Sequence, residues 1–430
     1  MSKKLYLLLF ILIAAIIPTA CAGKPAIVSE ETSEISTPPA ETAPVTAYAE
    51  KTPAPTLTDK TFLSRERYCI AGKGEEGASI RVEGGVNPAS GKVIDGQFIV
   101  EVFLEKQKEY DVTLNLYAKS ENKEESAPLT VIVGANEKRE DKPIYIGKNN
   151  HIHYADTLPD FFGNNLYSQD ELNLIKKGAE SLQRQLTEAG LTTKVIILIA
   201  PNHSTIYPET MSDFLAEQKT GDNSKLKQMT ELFKNSTVKF INPYDRLMKE
   251  KSNYFLYNRT DTHWNEIGAY FGYCEVFDYI GETFPGAKPR PLSDFNIYNA
   301  IVRGGDLIPM LKFDQDIYIE NSTLLRIKNP TVKELNRKDT DEIPYQEGFY
   351  HQFHEYNTGD AAKPTILMYR DSFSISMMMP IAETSNRVVF AGMWDYDIKI
   401  DYIKEINPDF VLIEKVERSG DFPGVLWKFK

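Results

Sequence analysis

Two short segments of this 430-residue chain carry side chains that together could perform acyl transfer. Asp261 and His263 lie two residues apart, and Ser372 follows much later in the chain. Nucleophilic acyl transfer requires a hydroxyl, a base that takes its proton and a carboxylate that orients the base. We therefore interpret Ser372 as a candidate nucleophile, His263 as its base and Asp261 as the orienting acid.

Ser372 comes shortly after a predicted strand, 365–369, and just before a predicted helix, 373–379. At such a position, backbone N–H groups of the following turn can stabilise an oxyanion, and the N–H of Ser372 is one candidate donor. The alternative is that Ser372 caps the helix, a role that Asp371 could fill instead. For the Asp-x-His segment, the alternative is a structural turn residue beside a half-buried imidazole.

Six further side chains are candidates for binding the oxyanion or the substrate, each with a structural alternative. They are Asn202, Arg259, Trp264, Arg370, Trp394 and Tyr396. Asn202 follows a predicted strand and offers an amide to the oxyanion, or it stabilises a turn. The two arginines could contact the acceptor or an anionic substrate, or form ion pairs. The aromatic residues could stack on sugar rings, or pack in a core.

The sequence predicts neither a metal site nor a cofactor. His151 and His153 are spaced for one face of a strand, and His351 and His354 for one face of a helix, but neither pair has a clear third ligand. We interpret them as surface histidines. The net charge of −12 argues against a nucleic-acid-binding protein, which normally carries a basic surface.

Residues 1–21 have the shape of a secretory signal: a basic start, an apolar run and small residues before Cys21. The apolar run is too short for a comfortable transmembrane helix. Cys21 after small residues resembles the lipidation motif of bacterial lipoproteins, which predicts a lipid anchor on this cysteine. A plain signal peptide is the alternative.

Two other cysteines, Cys69 and Cys274, fall in different predicted domains. A bridge between them is possible, but the sequence favours two buried free thiols.

Residues 22–62 are rich in Pro, Thr, Ser and Glu, which predicts a disordered linker. From 63 to 140 short alternating strands are separated by turn residues, which predicts a small all-β sandwich. This segment resembles a bacterial immunoglobulin-like module. We favour a spacer role for it over weak contact with carbohydrate or protein.

Residues 141–430 alternate predicted strands and helices, which indicates an α/β fold with a doubly wound sheet. Strands are predicted at 144–147, 195–199, 238–241, 255–257, 365–369, 388–391 and 410–414. Helices are predicted from a capping box at Ser168 to Gly190, and at 223–235, 265–281, 373–379 and 399–406. Active sites of such sheets lie at the carboxyl ends of the strands.

The segment Asp261-Thr262-His263-Trp264 resembles the Asp-x-His-Trp motif of the alginate O-acetyltransferase family, of the AlgJ and AlgX type. The segments 195–209, 304–307 and 408–418 resemble others of that family in the same order, so the resemblance covers about 143–420. It implies an SGNH-hydrolase-like fold with Ser372, His263 and Asp261 in the catalytic roles. The serine motif departs from the family at Arg370, where glycine is common.

The resemblance implies a polysaccharide O-acetyltransferase that works through an acetyl-serine intermediate on a polysaccharide acceptor. Together with the signal sequence, it places the enzyme at the extracellular face of the bacterial cell membrane, held by its lipid. Acetyl-coenzyme A is cytoplasmic, so an integral-membrane O-acyltransferase is the expected acetyl donor. The alternatives are a carbohydrate esterase with the same three residues, and a non-catalytic polysaccharide-binding lipoprotein.

Overall fold

The computed structural model describes residues 50–106, 110–335, 354–391, 398–420 and 422–429, all within one compact unit, Ala49–Lys430. The predicted signal peptide and most of the predicted linker lie outside the described residues.

The N-terminal part contains seven strands in two antiparallel sheets. The strands are β1 (Thr56–Phe62), β2 (Arg67–Lys73), β3 (Ser79–Glu83), β4 (Ala89–Lys92), β5 (Gln97–Phe103), β6 (Val112–Lys119) and β7 (Leu129–Val133). One sheet has the order β1-β2-β5 and the other β4-β3-β6-β7. Alternating side chains such as Ile80 and Val82 bury themselves in a core that both sheets share. The immunoglobulin-like character of this sandwich stays a prediction.

Strand β1 corrects the predicted end of the linker. The sequence placed residues up to 62 in a disordered segment, but Thr56–Phe62 pairs with β2 along its length. Its last residue, Phe62, is 1% exposed and lies in the sandwich core. The polar residues of this edge strand hid its alternation, and the pairing supplies the backbone hydrogen bonds that composition cannot reveal.

The remainder of the chain contains eleven strands and eleven helices among the described residues. The strands are β8 (Ile144–Ile146), β9 (Ile152–Tyr154), β10 (Lys194–Ala200), β11 (Lys239–Ile241), β12 (Phe295–Arg303), β13 (Ile319–Ile327), β14 (Lys333–Leu335), β15 (His354–Asn357), β16 (Thr365–Tyr369), β17 (Arg387–Ala391) and β18 (Phe410–Val416). The helices are α1 (Leu158–Phe162), α2 (Gln169–Glu188), α3 (His203–Ile206), α4 (Asp213–Ala216), α5 (Lys225–Phe233), α6 (Tyr244–Glu250), α7 (Glu266–Thr283), α8 (Leu307–Met310), α9 (Met378–Thr384), α10 (Ile400–Ile406) and α11 (Phe422–Trp427).

Seven of these strands form the main sheet, in the order β11-β10-β18-β16-β17-β15-β14. The five strands from β11 to β17 are parallel, and β15 runs antiparallel to both of its neighbours. All five parallel strands were predicted, and the one at 195–199 was predicted from a continuous apolar run, which is typical of strands buried on both faces.

Helices cover both faces of this sheet, so the predicted doubly wound α/β fold is confirmed. Along β10 the side chains alternate: Ile196 and Leu198 face the core that contains α7, whereas Val195 and Ile197 face the core that contains α2. Helix α2 begins with the predicted capping box, in which Ser168 and Glu171 satisfy each other's backbone N–H groups.

Two features of the α/β part were not predicted correctly. The expected strand at 255–257 is absent from this described region except for an isolated bridge between Tyr257 and Trp264. The N–H of Leu256 instead donates to the hydroxyl of Tyr207 at 2.9 Å, and its carbonyl accepts from the N–H of Asn265. The long hairpin of β12 and β13 was missed, because most residues of β12 are exposed and give no clear period.

The N-terminal sandwich packs directly against the α/β part. Buried side chains from its first sheet, including Cys69 and Ile99, share a core with Ile144 of β8 and with Leu307 and Ile308 of α8. The sequence suggested a spacer, whereas this sheet buries its outer face beneath the turn that begins α8.

Both cysteines in the described residues, Cys69 and Cys274, are buried and free, as predicted. Among the helices of the described ranges, none has the length and apolar character needed to cross a lipid bilayer.

Candidate active site

Ser372 lies at the carboxyl end of β16, in the centre of the main sheet. Asp371 caps the short 3₁₀ turn Ser372–Met377: its Oδ1 accepts from the N–H of Phe373 at 2.8 Å. Its Oδ2 accepts from the N–H of Val416, at the end of the neighbouring strand β18, at 2.7 Å. Because Asp371 fills the capping role, the hydroxyl of Ser372 is not needed for it.

His263 lies in the loop that leads into α7. Asn265 caps this helix by accepting from the N–H of Gly268 at 3.0 Å, which fixes the end of the loop. The indole N–H of Trp264 donates to the carbonyl of Phe373 at 2.7 Å. This bond ties the histidine loop to the residue that follows Ser372, so the two segments are held in register across the site.

The three residues predicted to act together are joined by two short hydrogen bonds. Nε2 of His263 lies 2.7 Å from Oγ of Ser372, and Nδ1 of His263 lies 2.8 Å from Oδ1 of Asp261. The same carboxylate oxygen accepts from the backbone N–H of His263 at 2.8 Å, which fixes the turn between them. Asp261 therefore holds the imidazole with its second nitrogen directed at the serine.

Electrostatics favour an ion pair between His263 and Asp261. Burial lowers the pKa of His263, but the hydrogen bond and charge of Asp261, with the charge of Asp306, outweigh it and raise the net pKa above its usual value. Burial would raise the pKa of Asp261, but the hydrogen bond and charge of His263 outweigh it and lower the net pKa. The site therefore stabilises the imidazolium that forms when His263 takes a proton.

Asp306 is a member of the site that the sequence did not single out. It accepts from the N–H of Thr262 at 2.8 Å and from its hydroxyl at 2.6 Å, and it lies 3.6 Å from Nδ1 of His263. Burial raises its pKa, and the charge of Asp261 raises it further. The sequence signal for this residue was the preceding Gly304-Gly305 pair, which marks a turn in close contact with another segment. A β-carbon on Gly305 would lie 2.5 Å from the β-carbon of Asp261, so this close contact requires glycine.

Arg418, after β18, is a second residue missed as a site member. Its guanidinium lies 5.1 Å from the ring centre of Phe373 and 5.9 Å from that of Tyr154. The ring of Phe373 also lies 4.7 Å from that of His263. Arg418 lowers the pKa of His263, in opposition to the two aspartates. The imidazole therefore has two acidic groups and one basic group around it.

Asn202 and Arg259 both have structural partners. Asn202 is fully buried, and its amide donates to Asp160 at 3.2 Å while its carbonyl oxygen lies 3.5 Å from Arg418. Arg259 pairs with Asp95 of the N-terminal sandwich. The ion-pair alternative given for Arg259 is thus the one that the structure contains, and the oxyanion role of Asn202 stays a prediction.

Trp264 and Arg370 are too buried to contact a polysaccharide, which was one of the two roles that the sequence left open for each. Trp264 is 3% exposed and Arg370 is 2% exposed. The indole packs edge-on against Phe373 at 5.7 Å, and Nη1 of Arg370 lies 3.4 Å from the carbonyl of Asp371. Trp264 therefore packs in the core, as its structural alternative held, and the ion pair given as the alternative for Arg370 stays a prediction. Trp394, Tyr396 and the lipidation candidate Cys21 lie outside the described residues.

The N–H of Ser372 is the predicted oxyanion donor that remains open. The N–H of Phe373 is used by Asp371, but within the described ranges no acceptor is bonded to the N–H of Ser372. It belongs to the first residue of the 3₁₀ turn, where backbone N–H groups have no partner inside the turn. A substrate carbonyl placed beside Ser372 could take this bond.

His151 and His153 were interpreted as surface residues, but they are buried, with 5% and 2% of their surface exposed. Nδ1 of His151 lies 3.0 Å from Nε2 of His203. Burial lowers the pKa of His151 far below its usual value, with the charge of His153 adding to this, so these rings are neutral. Instead of facing solvent, both rings lie near the ring of His203, and the ring of His151 also contacts that of Phe255. Of the other pair, His354 lies 2.9 Å from Glu334, and His351 is outside the described residues.

Asp261, His263 and Asp306 offer ligand atoms within 4.8 Å of one another, which is close enough to hold a metal ion. However, Nδ1 of His263 carries the hydrogen bond to Asp261, so it cannot bind a metal and orient the base at the same time. The arrangement fits proton transfer better than metal binding.

Comparison with known proteins supports the family suggested by the motif. Residues 161–339 match the family described as the SGNH hydrolase-like domain of the acetyltransferase AlgX. This match covers less than half of the chain and supports the SGNH-hydrolase-like, AlgX-type resemblance that the motif suggested. The matched segment contains Asp261, His263 and Asp306 but ends before Ser372. No curated protein matches the chain significantly.

Several solved structures are similar to this chain at low identity. A DHHW family protein from Eubacterium siraeum is 13% identical, with 72% of this chain and 94% of that chain covered and a TM-score of 0.46. Bacillus cereus PatB1 with a sulfonyl adduct is 17% identical, with 61% and 94% covered and a TM-score of 0.44. The O-acetyltransferase domain of Pseudomonas putida AlgJ is 14% identical, with 66% and 92% covered and a TM-score of 0.38.

Proposed function

We propose that this protein is a polysaccharide O-acetyltransferase in which Ser372 is the nucleophile, His263 the general base and Asp261 the orienting acid. The observation that carries the proposal is the pair of hydrogen bonds at 2.7 Å and 2.8 Å that joins the three side chains. A serine in contact with an imidazole that is itself held by a carboxylate is the arrangement needed to activate a hydroxyl.

In the first half of the reaction, Oγ of Ser372 attacks the carbonyl carbon of an acetyl donor and passes its proton to Nε2 of His263. The negative oxygen of the tetrahedral intermediate accepts from the N–H of Ser372. The intermediate then breaks its bond to the donor oxygen, which leaves with the proton from Nε2. Ser372 now carries the acetyl group as an ester, and His263 is neutral again.

In the second half, a sugar hydroxyl attacks the acetyl-serine and gives its proton to the same nitrogen of His263. Collapse of the new intermediate forms the acetylated sugar and returns the proton to Oγ of Ser372. Transfer and hydrolysis differ only in whether a sugar hydroxyl or water attacks. The product of this step is therefore what separates an acetyltransferase from an esterase.

The setting proposed for this reaction is the outer face of a bacterial membrane, where Cys21 would carry the lipid anchor. The support is the signal-like sequence of residues 1–21. Acetyl groups would arrive from an integral-membrane O-acyltransferase, because acetyl-coenzyme A remains in the cytoplasm. Acetylation that persists in cells lacking every membrane acyltransferase would contradict this donor.

The proposal is tested by incubating the purified protein with p-nitrophenyl acetate and a set of hexasaccharides, and measuring the masses of protein and sugar. We expect an acetyl group on Ser372 and then on the sugar. Ser372→Ala and His263→Ala should each lower the rate by a factor on the order of 10⁴ or more, as when one member of a cooperating set is removed.

The matched control is Ser374→Ala, since Ser374 lies two residues away, is fully buried and bonds only to the carbonyl of Asp371 in the described structure. It should keep its activity. Free acetate without acetylated sugar would indicate an esterase. A serine that never becomes acetylated would indicate a non-catalytic binding protein.

A further inference from the structure

A separate cavity of about 200 Å³ lies at the same edge of the main sheet, beside the ends of β10 and β11. Ser204 and Thr205, just after β10, line one side, and Asn242 and Tyr244, just after β11, line another. Ser372 follows β16, which is two strands away from β10. At the usual spacing of about 4.8 Å between strands, the two strands are roughly 10 Å apart.

The cavity has polar groups that are buried and only partly satisfied. Ser204 is 1% exposed, and its Oγ has no hydrogen-bond partner in the part of the chain that the structure describes. Asp160, 5% exposed, accepts from Asn165 at 2.9 Å and from Asn202 at 3.2 Å. Leaving a buried hydroxyl without a partner costs free energy, so an occupant that supplies hydroxyl groups would be favoured.

The charges lining the cavity balance, and its lining also contains aromatic rings. Lys219 pairs with Asp222 at 2.6 Å, and Lys227 donates to the carbonyl of Asp222. With Asp160 included, two lysines face two aspartates, which does not favour an anion such as phosphate. Phe161 and Tyr244 contribute rings. A neutral sugar matches this mixture, because its edge carries hydroxyls and its faces carry C–H groups.

A continuous path of contacts connects the cavity to the reacting serine. The amide of Asn202 donates to Asp160 in the cavity wall, and its carbonyl oxygen lies 3.5 Å from Nη1 of Arg418. The guanidinium of Arg418 lies over the ring of Phe373, the residue after Ser372. The cavity and the catalytic residues therefore line neighbouring parts of one edge.

We propose that this cavity binds one neutral sugar unit of the acceptor polysaccharide, a short distance along the chain from the unit whose hydroxyl reaches Ser372. The proposal rests on the proposed function. The volume is below the ~300–1,000 Å³ of sites for larger ligands, which fits a single ring. Binding of this unit would hold the polymer so that the next hydroxyls lie beside the acetyl-serine.

Gly221 offers a way to block the cavity without removing any hydrogen bond. It lines the cavity, and a β-carbon there would meet only the carbonyl of Gly163, at 3.9 Å. Gly221→Phe should therefore fill the space. Gly424→Phe is the matched control, because a β-carbon at Gly424 meets nothing within 4 Å and this residue does not line the cavity. Ser204→Ala is a second variant that removes the unpaired hydroxyl alone.

The probes are cellohexaose, mannohexaose and N-acetylchitohexaose, titrated into the full-length protein by calorimetry. We expect saturable binding of at least one to the unaltered protein and to Gly424→Phe. Binding should be about tenfold weaker in Gly221→Phe and weaker by several-fold in Ser204→Ala, the change expected for losing about one hydrogen bond. Circular dichroism checks that each variant is folded.

Two results would overturn the proposal: no binding of any of the three sugars, or equal affinity in the control and both cavity variants. Acetylation of Ser372 by p-nitrophenyl acetate is measured on the same samples and should be unchanged in the control Gly424→Phe. If the unaltered protein binds sugar but Ser372 is never acetylated, the proposed function fails while the cavity assignment stands. If Ser372 is acetylated but the cavity variants bind normally, the cavity assignment alone fails.

Discussion

The carboxylate of Asp306 lies 3.6 Å from Nδ1 of His263, the nitrogen that Asp261 contacts at 2.8 Å. Two carboxylates thus act on one side of the imidazole, and the serine lies at the other nitrogen. The N–H of Asp306 is also 3.4 Å from Oδ2 of Asp261, so the glycine-aspartate turn holds the orienting acid as well as the base. Asp306 is a positioning residue, since it reaches Ser372 only through His263.

Replacing Asp306 by Asn should change the pH dependence of the reaction. His263 must be neutral to accept a proton, so kcat/KM rises as the pH passes its raised pKa. Removing the nearby negative charge lowers that pKa, and the acid limb should move to lower pH. Thr262→Val is the control, because it removes the hydroxyl bond to Asp306 but no charge. Identical acid limbs in Asp306→Asn and the unaltered enzyme would show that Asp306 is only structural.

Replacing Gly305 by Ala should displace Asp261. The added β-carbon would lie 2.5 Å from the β-carbon of Asp261 and 2.5 Å from the carbonyl oxygen of Thr260, and neither is the end of a flexible side chain. We expect a loss of about 1–3 kcal/mol in stability from overpacking. A shift of about 1 Å in the orienting acid should also lower kcat on the order of 10²-fold. Urea unfolding and acetyl-transfer rates measure the two effects, and Gly424→Ala should show neither. Unchanged kcat in Gly305→Ala would mean that the loop absorbs the extra carbon.

The ion pair between Arg259 and Asp95 should contribute to stability. Its side chains are 12% and 15% exposed, and Asp95 also accepts from the N–H of Asn321 at 3.2 Å. Asp95 has a positive φ of 56°, which Asn tolerates. Asp95→Asn should therefore cost about 2–3 kcal/mol, near the lower end for breaking a buried pair. The exposed pair of Arg81 and Glu125 is the comparison, where Glu125→Gln should cost clearly less than Asp95→Asn because solvent screens the charges. Equal losses in the two variants would argue against any special role for the pair.

A feature of this protein could be predicted from the sequence when its signal is local. The five central strands and helices α2 and α7 were predictable, because their apolar periods and caps are local signals. Ser372 at the end of β16 followed from that arrangement. His263 and Asp261 were found because they are two residues apart. The segment 304–307 was matched to the family, but the contact of Asp306 with His263 was not predicted. The contact of Asp95 with Arg259 was not predicted either, because both contacts depend on how distant turns pack.

Strands β1 and β12 were not predicted for the same reason. Strand β1 is polar and gains its structure from pairing with β2, and most of β12 is exposed. For Trp264 the sequence left sugar stacking and core packing open, because a motif does not report that the side chain is only 3% exposed. Residue type and local period therefore located the three candidate residues, while the supporting contacts required the fold.

Glu417 should make stability depend on pH. Burial raises its pKa to about 7, while Oε2 accepts from the N–H of Asn202 at 2.9 Å and from the hydroxyl of Thr205 at 2.6 Å. A carboxyl with a raised folded-state pKa holds its proton more tightly when folded. The stabilisation from this group is therefore fully present below pH 4.5, the pKa of the unfolded state, and is lost as the pH rises through about 7. The loss in unfolding free energy amounts to on the order of 3 kcal/mol.

Glu417→Gln removes this titration. Between pH 5 and pH 8, the unfolding free energy of the unaltered protein should therefore fall relative to that of the variant. Urea unfolding at several pH values measures it. Asp160, whose pKa burial raises to about 6, should leave a smaller residual dependence of the same sign in the variant. The exposed Glu121 serves as control, because Glu121→Gln should run parallel to the unaltered protein. If Glu417→Gln also runs parallel, the buried carboxyl is not the source of the pH dependence.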